Sequence, residues 1–228
     1  MIFPLNFLSK EKIIYKTESE ISGKIELIDG EFGLELWVGG YNQTTYISKK
    51  ERANYWKTIT DYSSITNKNT ILILGLGGGE IIRLLNEKYK HLNIYVVEID
   101  PVIIKMYKKY FVKYDSKKGN NVILIEGDAY NYVVNNERIF DSIICDVYLN
   151  GEYPKDFLNV NFMEASKDSL RKNGQFVSNR IFIWSPSKQT EDYTSLLKMF
   201  YKHVYCKYVG DKTYQSANYV FFADNCNQ

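Results

Sequence analysis

A chain of 228 residues, 45% hydrophobic and 25% charged, has an ordinary globular composition and the length of one large domain, or of one domain with a small appendage. Its net charge of +2, from 29 basic and 27 acidic residues, leaves no electrostatic footprint for nucleic acid. No apolar run approaches membrane-spanning length, so neither nucleic acid nor membrane is expected as a partner.

The cysteines, Cys145, Cys206 and Cys226, are widely spaced, and neither His91 nor His203 lies near a Cys or acidic cluster of metal-ligand spacing. No metal is expected, and the thiols read as reduced cysteines of a cytoplasmic protein. The first ten residues are apolar but lack a basic start and a small-residue cleavage site, which argues against a signal peptide.

Residues 11–47 read as β structure, with strand-like runs at 12–16, 23–28, 32–38 and 41–47. Asp29 with Gly30, and Gly39 with Gly40, are the turn signals between them. Ser48 is placed to cap a helix over 49–61 that carries Ala53, Trp56, Ile59 and Thr60 on one side. The polar stretch 62–70 then suggests a boundary. It divides a β-rich hairpin region with its linking helix, 1–66, from a second domain, 67–228.

From residue 70 the rhythm changes. Apolar strand-like runs at 70–75, 93–98, 121–125, 140–146 and 174–179 alternate with helix-like stretches at 79–90, 101–114, 128–136 and 157–171. Asp100 and Pro101 make a fitting helix start, and Asn173 with Gly174 reads as the close of the helix before the fifth strand. A helix near 188–201 and strand-like runs at 203–208 and 217–223 follow, the last two as an antiparallel hairpin. The alternation predicts an α/β fold with a mostly parallel, Rossmann-like sheet that binds ligands at the carboxyl ends of its strands.

Those strand ends carry the chemistry. The first runs into Gly75, Gly77, Gly78 and Gly79, where missing Cβ atoms let backbone N–H groups and a helix start approach a ligand. The second ends at Glu98, roughly 20 residues on, where a carboxylate accepts both hydroxyls of a ribose. The third ends at Asp128 and Ala129, suited to an exocyclic adenine amine and a ring nitrogen, although Asp128 also fits a helix cap. The fourth ends at Asp146, just before Tyr148 and Tyr153.

The order Ile-Leu-Gly-x-Gly-Gly-Gly, Val-Glu-Ile-Asp-Pro, Gly-Asp-Ala and Phe-Asp-x-Ile-Ile-x-Asp resembles the spermidine synthase (polyamine aminopropyltransferase) family, a branch of the class I S-adenosylmethionine-dependent methyltransferase fold. The resemblance covers most of residues 15–180. It implies that Glu98 holds the ribose, Asp128 and Ala129 the adenine, and Gly75, Gly77 and Gly79 the tail of a sulfonium cofactor. Gln43 matches a glutamine that reaches the cofactor from the N-terminal region. Asp146 matches the family's proton acceptor and Tyr55 a family tyrosine on the substrate side; Tyr148 and Tyr153, by their place just after Asp146 and apart from the resemblance, are candidates to wall the acceptor pocket. The family commonly forms dimers or tetramers, so a homodimer or homotetramer is the matching expectation.

Three departures bear on the chemistry. Gly78 stands where aminopropyltransferases carry an Asp for the amine of decarboxylated S-adenosylmethionine, with Glu80 two positions on. Leu149 replaces the second Asp that anchors the polyamine, and Trp56 replaces a His. Because ammonium groups taken from water need counter-charges, the sequence leans toward S-adenosylmethionine as donor and methyl transfer to a small acceptor such as an amine. The alternatives are aminopropyl transfer from decarboxylated S-adenosylmethionine, and a non-catalytic nucleoside-binding relative. An NAD-dependent oxidoreductase would also use Glu98, but it fits the Gly-Asp-Ala tip poorly.

Overall fold

The computed structural model describes residues 12–30, 33–46, 55–114, 119–182, 186–210 and 217–226. Strands β1 (Lys12–Ser19), β2 (Gly23–Gly30), β3 (Gly33–Val38) and β4 (Tyr41–Tyr46) form a four-stranded antiparallel sheet in chain order. Gly39 and Gly40, at φ 58° and 86°, make the tight β3–β4 turn that two positive φ values require. Asp29 and Gly30 are not the turn expected of them. They are the last residues of β2, paired with Leu34 and Gly33. Ser48 and the expected helix start lie outside the described residues; the helix itself is present as α1 (Tyr55–Tyr62), with Ile59 and Thr60 buried.

The second sheet has seven strands in the order β10-β11-β9-β8-β5-β6-β7. Strands β5 (Thr70–Leu74), β6 (Asn93–Glu98), β7 (Asn121–Glu126), β8 (Phe140–Cys145) and β9 (Leu170–Phe182) run parallel. β10 (His203–Gly210) and β11 (Ala217–Asp224) form the antiparallel hairpin, with β11 against β9. The Rossmann-like sheet with an antiparallel last strand is therefore as expected. Its order reverses between β5 and β8, which opens a crevice beyond their carboxyl ends.

Helices cover both faces: α2 (Glu80–Lys88), α3 (Pro101–Met106), α4 (Ala129–Val134), α5 (Val160–Asp168) and α6 (Pro186–Lys198). Asp100 caps α3 by accepting from Val102 N at 2.8 Å, and Asp128 caps α4 by accepting from Asn131 N at 2.7 Å. The stretch expected as one helix over 101–114 continues past α3 as a π turn (Tyr107–Phe111) and a 3-10 turn. The helix expected over 157–171 is a 3-10 turn (Lys155–Leu158) followed by α5, whose start Asn159 caps at 2.8 Å.

Asn173 and Gly174 do not close that helix. It ends at Asp168, and β9 already pairs Leu170 with Phe140. The next pair is Ser142 with Gln175, so residues 171–174 bulge out of the strand, and the glycine serves the bulge.

Side chains alternate between two cores, as a sheet covered on both faces requires. Ile71 and Ile73 point to one, shared with Ile25, Leu27 and Leu36 of the first sheet and Ile59 of α1. Leu72 and Leu74 point to the other, with Phe140, Phe162, Phe176 and Phe221. The first sheet is thus bound to the second through a common apolar core. Phe162, fully buried, sits 4.7 Å from Phe157 and 6.3 Å from Phe176 between ring centroids. Phe162→Ala should therefore cost about 3–5 kcal/mol in urea denaturation, through lost burial and a cavity.

Candidate active site

The strand-to-helix connection after β5 is shaped by what lies against it. Gly75 has φ 91°, and a Cβ there would run into the Asp146 carbonyl, so β5 and β8 approach closely at their tips. A Cβ on Gly79 (φ 83°) would strike the Tyr107 ring. A Cβ on Gly78 would overlap the side chain of Thr44, fully buried in β4, and one on Gly77 would lie 3.1 Å from the Gln43 carbonyl. The glycine turn is therefore pressed between β4 and the π turn.

Glu98 holds the turn from the next strand. Its carboxylate accepts from Leu76 N at 2.9 Å and from Asp100 N at 3.0 Å. Burial raises its pKa, and the backbone N–H donors oppose the shift. The Ile99 N–H donates to it as well, so three of the carboxylate's four lone-pair sites are engaged and capacity remains for a ribose hydroxyl. Asp128 spends Oδ1 on its helix cap, so it has one oxygen left for a ligand.

These groups surround a cavity of about 570 Å³ beyond the strand tips. Gln43, Gly75, Gly77, Glu98, Asp128, Ala129, Asp146 and Tyr148 all line it, so nearly the whole expected set comes together. Gly79 does not; it lines a neighbouring void of about 20 Å³ and is required by Tyr107 instead. Tyr55 does not line the cavity either but donates to Asp146 Oδ2 at 3.0 Å, as a partner of that carboxylate.

Asp146 is half-buried at the end of β8. Asn179 Nδ2 donates to Oδ1 at 2.9 Å, and Tyr55 and Trp56 donate as well. Burial nevertheless pushes its pKa up to about 6, against these three donors. Beside it, burial pushes the Cys145 thiol up to about 12, so that thiol is inert. The Tyr148 hydroxyl donates to the Asn179 carbonyl at 3.3 Å, which leaves its ring as cavity wall.

Asn179 was missed in the sequence. The available signal was the polar run Ser178, Asn179 and Arg180 in a strand otherwise built to be buried. Asn131 and Asp156 also line the cavity unannounced. Glu80 is no substitute for an acid at position 78, because Arg83 binds both of its oxygens, at 2.5 and 3.0 Å. Among the described residues, no helix is long and apolar enough to cross a membrane, and no group of three or more His, Cys, Asp and Glu side chains could hold a metal ion.

The strand order and the cavity at its reversal define a class I S-adenosylmethionine-dependent methyltransferase-like fold. Residues 54–227 match the family described as Spermine/spermidine synthase domain. The chain belongs to the spermine/spermidine synthase family, a family of transferase enzymes. It is 29% identical over 197 residues to a polyamine aminopropyltransferase of Buchnera aphidicola subsp. Acyrthosiphon pisum, covering 84% of this chain and 68% of that one. With a polyamine aminopropyltransferase of Vibrio vulnificus it shares 33% over 139 residues, 58% of this chain and 44% of that one. A crystal structure of a spermidine synthase in complex with the transition state analogue AdoDATO superposes with a TM-score of 0.74 at 18% identity, covering 95% of this chain and 75% of that chain.

The raised Asp146 pKa has a stability consequence. The folded state holds this proton more tightly than the unfolded chain, whose aspartates titrate near 3.9, so stability falls as pH rises from about 4 through 6. Urea titrations of the native chain and Asp146→Asn at pH 4 and pH 7 should differ in this way, the native chain losing of the order of 2 kcal/mol relative to the variant.

Proposed function

We propose that the protein transfers an alkyl group from an adenosyl sulfonium donor to the nitrogen of an amine. Aminopropyl transfer from decarboxylated S-adenosylmethionine is the form its relatives favour, in place of the methyl transfer toward which the sequence leans. The observation that carries the transfer reading is Asp146, a half-buried carboxylate with a raised pKa between the glycine turn and the cavity.

In this reading Glu98 accepts from the ribose hydroxyls, Asp128 from the adenine amine, and the glycine turn with Gln43 borders the tail. The neutral amine nitrogen attacks the carbon beside the sulfonium, and the C–S bond breaks with its electrons going to sulfur. The nitrogen's surplus proton passes to Asp146. A sulfonium is already a good leaving group, so the protein supplies alignment, a site shielded from water and the proton acceptor. Burial makes Asp146 more basic than an exposed aspartate. Tyr55, Trp56 and Asn179 fix its direction.

One observation favours methyl transfer from S-adenosylmethionine as a second reading. Thr44 fills the space an acid at position 78 would need, and Glu80 is taken by Arg83, so no carboxylate at the turn is left for the donor's amine. The unpaired cysteines support a reducing compartment such as the cytoplasm. A homodimer or homotetramer is the assembly we carry forward from the family.

Mass analysis of the nucleoside product separates the readings: methylthioadenosine from aminopropyl transfer, S-adenosylhomocysteine from methyl transfer. Asp146→Asn should lower kcat/KM by about 10²–10⁴-fold. Methylthioadenosine at a hundred times its Kd should still stabilise that variant by about 2.7 kcal/mol in thermal unfolding. Nucleoside binding without turnover of any amine would instead identify a non-catalytic relative.

A further inference from the structure

We propose that Arg180 is a positioning residue for the nucleoside site: its guanidinium holds Tyr153 by cation–π contact, and Tyr153 in turn braces the cavity wall of Tyr148 and Phe157. The inference rests on the nucleoside-binding part of the reading above and adds to it a residue outside the cavity lining.

Consecutive residues of a strand face opposite sides, and the polar run of β9 divides accordingly. Asn179 turns to the Asp146 side, where its Nδ2 donates to Oδ1 at 2.9 Å. Ser178 and Arg180 turn to the other face, where the Tyr193 hydroxyl of α6 donates to Ser178 Oγ at 3.0 Å. The Arg180 guanidinium lies there among rings, 4.0 Å from the centroid of Tyr153, 4.5 Å from Tyr193 and 5.2 Å from Phe182.

A cation drawn away from water needs a counter-charge or acceptors for its hydrogen bonds. Arg180 has neither. Its Nε is buried without a hydrogen-bond partner, and the ion pairs among the described residues do not include it. The faces of the rings are what compensates the charge, an attraction that strengthens where water is excluded.

Tyr153 carries this contact to the cavity. Its hydroxyl lies 3.4 Å from Cys145 Sγ, and its ring packs 5.8 Å from Tyr148 and 6.1 Å from Phe157. Those two residues line the cavity, and Tyr153 stands behind them. Phe157 also packs 6.3 Å from Tyr130, a further lining residue two positions after Asp128. One ring therefore supports the wall from Tyr148 to the adenine side. Arg180 fixes that ring to β9 and, through Tyr193, to α6.

The test is the Kd of the full chain for methylthioadenosine by titration calorimetry, which needs no turnover. Arg180→Met, similar in length but uncharged, should raise Kd about tenfold. Arg180→Lys, which keeps a cation over the rings, should stay within about threefold of the native chain. In a Tyr153→Leu background, Arg180→Met should change Kd by less than about twofold, because the contact it removes is already gone. An arginine that only supports the fold would cost the same in both backgrounds. Should Arg180→Met fail to fold, Arg180→Gln against Arg180→Lys gives the same comparison. An unchanged Kd in the uncharged variant, an equal loss in Arg180→Lys, or an equal loss with and without Tyr153 would each overturn the inference and leave the nucleoside reading intact. A native chain that binds no methylthioadenosine would overturn that reading, and this inference with it.

Discussion

The contact on which the rest of the site depends is the one between β4 and the glycine turn. Gly77 and Gly78 lack the Cβ atoms that would meet the Gln43 carbonyl and the Thr44 side chain, so the first sheet can rest directly on the end of β5. That contact places Gln43 on the cavity wall. The apolar residues Ile25, Leu27 and Leu36 behind the contact merge with the core under β5 and β6. The first sheet is thereby a wall of the site. The same contact has a chemical consequence, because Thr44 occupies the volume from which an acid at position 78 would act.

The electrostatics of Asp146 follow from this enclosure. Three donors favour its carboxylate, yet burial outweighs them and holds its pKa near 6. A carboxylate surrounded by N–H and O–H groups in water would move the other way. The balance suits a proton acceptor, which must be ionised near neutral pH and yet basic enough to take a proton from a reacting nitrogen. Tyr55 comes from α1, Asn179 from β9 and Asp146 from the β8 tip, so the arrangement depends on the packing of both sheets.

Much of this was legible in the sequence, for identifiable reasons. Strand and helix alternation is written in period-two and helical patterns, and acids at strand tips project into the crevice by topology alone. That is why the sequence pattern alone places Glu98, Asp128 and Asp146 together, as the cavity lining does. Asn173 with Gly174 misled because a bulge and a helix end use the same residues, and only the pairing of Leu170 with Phe140 decides between them. Gly79 looked like part of the ligand turn, but what requires it is Tyr107, 28 positions away in the chain. Asn179 and the role of Tyr55 depend on which side chain meets Asp146 across separate elements, and no local pattern encodes such a meeting.

The central claim is that the cavity at the β5–β8 reversal holds a sulfonium nucleoside with its reacting carbon toward Asp146. A crystal structure with methylthioadenosine tests it most directly. The account predicts ribose hydroxyls on the Glu98 carboxylate, the adenine beside Asp128 and Ala129, and the sulfur on the Asp146 side of the glycine turn. A nucleoside bound elsewhere, or one whose sulfur points away from Asp146, would contradict it.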